Sequence, residues 1–181
     1  MQEPNPPPTK ADQLTYEQFL AYVMDKEGRF EYVDGRAVAM APASRVHQRL
    51  AKRLTVALDA HLGKGPCEVL PSPGVWTIVD RRERVPDLAV FCEGEKPRVM
   101  VEILSPNLGD DLGDKVLEYQ GLHSVAEYVI VDSRKRWVIV HRRGAEGLFV
   151  VDIEHISGAV WLDSIGFTLD VDALYNDSGV A

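Results

Sequence analysis

The 181-residue chain has only two cysteines, Cys67 and Cys92, and they form no CxxC pair. That pattern argues against a zinc site and against a disulfide framework. Cys92, inside an apolar run, reads as a small core residue. No stretch of about 18 consecutive apolar residues occurs, and the opening MQEPNPPPTKADQ lacks a basic segment followed by an apolar one. A soluble, cytoplasmic protein without membrane contact is expected. From Gly144 onward Lys and Arg are absent, while seven acids occur: Glu146, Asp152, Glu154, Asp163, Asp170, Asp172 and Asp177. The net charge of −8 therefore sits mostly in that final part. The rest, with basic clusters at Arg45/Arg49/Lys52/Arg53, Arg81/Arg82/Arg84, Arg134/Lys135/Arg136 and Arg142/Arg143, is close to neutral. Nonspecific phosphate binding usually shows as a net basic domain or stripe, so this balance permits a nucleic-acid partner without announcing one.

What is present is enough apolar material, 45% of residues, for one domain with a sizeable core. Residues 1–13 are polar and proline-rich and read as a flexible N-terminal arm; residues 14–181 read as a single domain. Thr15 with Gln18 makes a capping box for a short amphipathic helix to about Glu27. Asp34-Gly35 between two β-leaning runs signals a hairpin. Val46, Leu50, Leu54, Leu58 and Leu62 recur every fourth position, which makes a long helix from Ser44 to Gly63. Strands near 67–71 and 75–80 follow, and then the stretch VPDLAVFCEGEKPRVMVEILSPN reads as two strands joined by a turn over Glu93–Lys96. A helix over DDLGDKVLEYQGL comes next, with Val116, Leu117, Tyr119 and Leu122 as its apolar positions. The runs EYVIVD and RWVIVHR form a second tight hairpin, with further strands and a last short helix behind them. The order describes an α/β (α+β) domain around one strongly twisted sheet.

Two acids stand among the apolar residues of the 85–107 stretch. If the turn is symmetric, opposed residues have numbers summing to about 189, and Asp87 and Glu102 do so. They would then share one face of the ladder. Burying one carboxylate costs several kcal/mol unless a cation, a proton or donors compensate, and two side by side repel. A hard divalent ion would relieve both costs, and Mg²⁺ suits a site of one or two carboxylates completed by water and phosphate. Lys115, on the following helix, is the candidate for orienting or activating an attacking water. On spacing alone, its i,i+4 distance from Asp111 better fits a surface ion pair, a pattern common on exposed helices.

The ordered series PDLAVF, VEILSPN, DLGDK and EYVIVD, with FEYVDG ahead of it, resembles the Uma-two family of bacterial endonucleases within the PD-(D/E)XK superfamily. The resemblance implies a restriction-endonuclease-like core, with a central mixed twisted sheet flanked by helices. It also implies metal-dependent hydrolysis of phosphodiester bonds in nucleic acid, DNA in the first place. By position, Asp87 and Glu102 would be ligands of Mg or Mn, with the backbone carbonyl of Ile103 as a third. The superfamily's usual lysine two places after the glutamate is replaced by Leu104, and its role falls to Lys115. Glu31 of FEYVDG corresponds to an early acidic residue that binds metal directly or through water; read alone, it is a strand glutamate paired with an arginine. His47 would lie at the rim of the site; read alone, it is a partly buried helix histidine. Asp111 would orient Lys115. A non-catalytic nuclease-fold module remains the competing reading. No separate recognition segment is visible, so specificity would call for a partner or a homodimer.

Overall fold

The computed structural model describes residues 13–77, 82–94, 96–105, 112–152 and 154–180. All of the expected arm except Gln13, the expected strand end at 78–80, and Asp111 lie outside the described residues.

Helix α1 (Tyr16–Met24) starts with the expected reciprocal cap: Gln18 N–H donates to the Thr15 hydroxyl at 3.2 Å and Thr15 N–H donates to Gln18 Oε1 at 2.8 Å. The hairpin of β1 (Phe30–Val33) and β2 (Arg36–Ala39) turns through Asp34 and Gly35, both at positive φ. Helix α2 (Arg45–Leu62) is capped by the Ser44 hydroxyl, which accepts from His47 N–H, and ends at Gly63. Its apolar stripe buries Leu50, Leu54 and Leu58 almost completely, each contributing about 1.5–3 kcal/mol of transfer free energy.

The central sheet has six strands: β3 (Cys67–Pro71), β6 (Leu88–Cys92), β7 (Pro97–Leu104), β8 (Glu127–Asp132), β9 (Val138–Arg143) and β10 (Phe149–Val151), in the order β10-β9-β8-β7-β6-β3. Among the described residues only β7 and β8 pair in parallel, and α3 (Leu112–Gly121) lies between them in the chain. Both faces of this sheet are covered. Val99, Val101, Ile103, Val129 and Val131 pack with the leucines of α2, whereas Met100, Leu104, Tyr128 and Ile130 pack with Tyr119 of α3. Alternation along β7 therefore places Glu102 on the α3 side.

Three expectations change. The chain forms more than one sheet: β4 (Val75–Thr77) and β5 (Arg82–Arg84) join β1 and β2 in a four-stranded antiparallel sheet ordered β2-β1-β5-β4. β5 has the sequence Arg-Glu-Arg, whose charge hides its strand character. Second, the cysteines are joined. Cys67 and Cys92 stand directly opposite each other on β3 and β6, and the ladder brings their sulphurs into a disulfide across 25 positions of sequence. Third, the buried side of α3 is only partly the apolar one: Tyr119 and, just after the helix, Leu122 are buried and Val116 packs against the core, but Leu117 is exposed and Lys115 and Glu118 are buried.

The final part forms the hairpin of β11 (Ala159–Leu162) and β12 (Phe167–Asp170), followed by α4 (Val171–Tyr175). Three of its acids are used internally. Asp170 caps α4, Asp172 pairs with Arg136, and Asp152 pairs with Arg142. Arg53 donates to the carbonyls of Leu174 and Asn176. Much of the basic and acidic clustering in the sequence is thus complementary charge between segments of one chain.

Candidate functional site

The β6–β7 ladder pairs Leu88 with Val101, Ala89 with Met100 and Val90 with Val99, the register inferred from the sequence; a bulge after Val90 shifts the pairing at the turn end. Asp87 and Glu102 stand one step beyond the last of these pairs, where β6 begins. Asp87 does not lie in the ladder as a strand residue. Its Oδ2 accepts the Ile103 N–H at 2.7 Å and lies 3.1 Å from His47 Nε2, at the start of α2. Within an extended strand one residue's N–H and C=O leave toward the same edge. The Leu104 carbonyl accepts from Ser133 N–H on the β8 side, so Ile103, with its N–H on Asp87, turns its carbonyl toward the Asp87 edge.

Glu102 Oε1 accepts from Lys115 Nζ at 3.0 Å and from the Tyr119 hydroxyl at 3.1 Å. Lys115 Nζ is also 3.4 Å from Glu31 Oε1. The helical spacing of Lys115 and Tyr119, one turn apart, lets both reach one carboxylate. Glu31 crosses from β1 of the second sheet. Its Oε1 accepts Val85 N–H at 3.1 Å and its Oε2 accepts from Arg84 at 2.9 Å. Asp87, Glu102, Ile103, Lys115, Glu31 and His47 all line one cleft of about 180 Å³, together with Arg29 and Ser105. Asp111 lies outside the described residues.

The electrostatics are those of crowded acids. Burial pushes the Glu102 carboxyl up to about 7; Lys115 opposes this and the Asp87 and Glu31 carboxylates reinforce it. Tyr119 is held well above its ordinary range by burial and by the adjacent Glu102, so its hydroxyl serves as a donor. Behind the cleft, burial works against ionisation of Glu118, yet its hydrogen bonds to Arg84 and Arg82 outweigh that and hold it below the usual carboxylate range.

Asp87 uses Oδ2 and Glu102 uses Oε1 for these contacts. Among the described residues neither Asp87 Oδ1 nor Glu102 Oε2 receives a hydrogen bond from the protein. Two half-committed carboxylates and a backbone carbonyl are the hard oxygen donors that a small divalent cation takes. Among the described residues no group of three or more His, Cys, Asp or Glu side chains is arranged to hold a metal ion. A cation here would rest on two carboxylates, backbone, water and substrate.

Glu118 was not singled out from the sequence, and Arg84 only as one member of the basic cluster Arg81/Arg82/Arg84. The only signals were proximity and phase: Arg84 lies three positions before Asp87, and Glu118 lies three after Lys115 on the same helical face. Conversely, the basic clusters that could have marked a phosphate-binding surface are largely occupied. Arg134 binds Asp132, Arg142 binds Glu127 and Asp152, and Arg143 donates to the carbonyls of Gln120 and Leu122.

Known proteins resemble this chain over most of its length. A protein of Synechocystis sp. (strain ATCC 27184 / PCC 6803 / Kazusa), "Uncharacterized protein slr1290", is 27% identical over 173 residues, covering 90% of this chain and 91% of its own. The crystal structure of "a putative nuclease belonging to DUF820" from Anabaena variabilis ATCC 29413 superposes with a TM-score of 0.74 at 18% identity, covering 90% of this chain and 98% of that one. At such identity the likeness speaks for the nuclease fold alone. The Uma2 family model, described as "Putative restriction endonuclease", matches residues 16–171, from α1 to the start of α4, and the chain belongs to that family.

Proposed function

We propose that the protein is a Mg²⁺- or Mn²⁺-dependent endonuclease that hydrolyses phosphodiester bonds, with DNA as its substrate. The observation that carries this reading is the pair of buried acids, Asp87 and Glu102, at the open end of the β6–β7 hairpin. Each has one oxygen pinned by protein donors and one left over, and Lys115, which also lines the cleft, binds Glu102.

In this reading Asp87, Glu102 and the Ile103 carbonyl hold the cation, which when bound supplies charge neutralisation for the phosphate and acidifies its water. The Ile103 N–H and His47 keep the Asp87 carboxylate from turning away. Lys115, on its flexible stem, presents an ammonium where negative charge grows during attack at phosphorus. Tyr119 donates to Glu102 and fixes the oxygen that faces α3. Arg29 stands on the cleft wall as a further cation toward phosphate. Many basic residues elsewhere are paired within the chain, so a longer contact with nucleic acid falls to a homodimer.

Purified protein incubated with DNA and Mn²⁺ or Mg²⁺ tests the proposal. Cleavage that chelation stops and that Asp87→Ala abolishes is expected. Absence of cleavage, together with no calorimetric uptake of Mn²⁺, would overturn it. That result would favour a non-catalytic nuclease-fold module, a reading to which the existing Lys115–Glu102 pair lends support.

A further inference from the structure

The charges do not stop at the cleft. Behind Lys115 a row of buried ions alternates in sign. Glu31 (5% exposed) meets Arg84 (2%), and Arg84 meets Glu118 (2%), which also takes Arg82. Burying such pairs seldom stabilises a fold relative to well-packed apolar residues, so their placement beside a cleft calls for a positional explanation. Resting on the function proposed above, we infer that Glu31 is not a cation ligand. It is the second docking point of the Lys115 ammonium, held in place by the positioning residues Arg84 and Glu118.

Three features carry this. First, the oxygens of Glu31 are engaged differently from those of Asp87 and Glu102. Oε2 accepts from Arg84 at 2.9 Å, and Oε1 accepts Val85 N–H at 3.1 Å with Lys115 3.4 Å away. Both of its oxygens are committed to protein donors, and no lone oxygen is left over as on the two proposed ligands. Second, Lys115 lies nearer Glu102 than Glu31, 3.0 against 3.4 Å. A Glu102 that held a cation would hold the ammonium less strongly. A small rotation of the lysine stem would then leave the ammonium on Glu31, still over the cleft. Third, Arg84 is aimed by a planar fork. Its Nε and Nη2 donate to Glu118 at 2.7 and 2.8 Å, which leaves Nη1 directed at Glu31. A lysine has no such fork and could not replace it.

The test uses the full chain, with Mn²⁺ calorimetry and DNA cleavage measured on wild type, Glu31→Gln, Arg84→Lys and Glu118→Gln. Glu31→Gln is expected to bind Mn²⁺ with Kd within about threefold of wild type while kcat falls about 10- to 100-fold, the usual effect of disturbing an orienting partner. Arg84→Lys should show the same split. Glu118→Gln, which leaves Glu31 itself intact, should show it in weaker form and carries the test if Glu31→Gln does not fold. A Kd for Mn²⁺ raised tenfold or more in Glu31→Gln, or kcat within twofold of wild type, would overturn the inference alone. A wild type that takes up no Mn²⁺ overturns both this inference and the proposed function.

Discussion

Lys115 Nζ lies 3.0 Å from Glu102 Oε1, and both residues are buried, one on a helix and the other on the strand beneath it. This contact returns to the end of β7 the cation that Leu104 does not supply. It also means that the lysine and any metal ion draw on the same carboxylate.

From that competition, Lys115→Met should separate binding from chemistry. Mn²⁺ affinity measured by calorimetry is expected to stay the same or tighten, because Glu102 loses its internal cation. Cleavage should fall about 10²- to 10³-fold, the usual loss when a group that stabilises developing charge is removed. A variant that keeps wild-type cleavage would remove Lys115 from the mechanism.

Asp87→Asn should act on the cation instead. Its side-chain oxygen can still accept the Ile103 N–H, so the melting temperature should move little, by less than about 1 kcal/mol in stability. The loss of a full ligand charge should weaken Mn²⁺ binding at least tenfold. Calorimetry alongside thermal denaturation checks both halves.

Acid stability should depend on Glu118. Its carboxyl titrates lower in the folded protein than in the unfolded chain, where glutamate has a pKa of about 4.3. The folded state therefore gains stability from the ionised form above that unfolded value, and loses it as pH falls through the folded one. Melting temperatures followed from pH 7 to pH 3 should fall more steeply for wild type than for Glu118→Gln. Parallel curves would show that the Arg82–Glu118–Arg84 cluster adds nothing of this kind.

The Cys67–Cys92 bond closes a loop across 25 positions between the edge strand β3 and β6. By loop-closure entropy it should stabilise the fold by roughly 3 kcal/mol relative to a Cys67→Ser/Cys92→Ser double variant. Thiol titration of the unreduced, denatured protein should find no free thiol. Two free thiols per chain would contradict the pairing.

Much of the fold is legible in the residues because it depends on local chemistry. The Thr15/Gln18 box, the Asp34-Gly35 turn, the leucine spacing of α2 and its stop at Gly63 each act within a few positions, and each appears where the pattern places it. The β6–β7 register was also readable, since turn and hydrophobic pattern jointly specify it. β5 was not, because a strand reading Arg-Glu-Arg is recognisable only once the carboxylates that neutralise it are in place. The disulfide escaped for a similar reason: spacing along the chain says nothing of which strands become neighbours.

The sequence by itself determined that two acids stand at strand ends with a lysine on the next helix. Only the tertiary structure decided how those charges are shared. Glu31 and Arg84 come from a second sheet and Glu118 from the buried face of α3, and they meet Lys115 behind the cleft. Ion pairing between side chains falls off within a few ångströms and is blind to sequence distance. Its outcome is therefore set by which elements the packed core holds side by side.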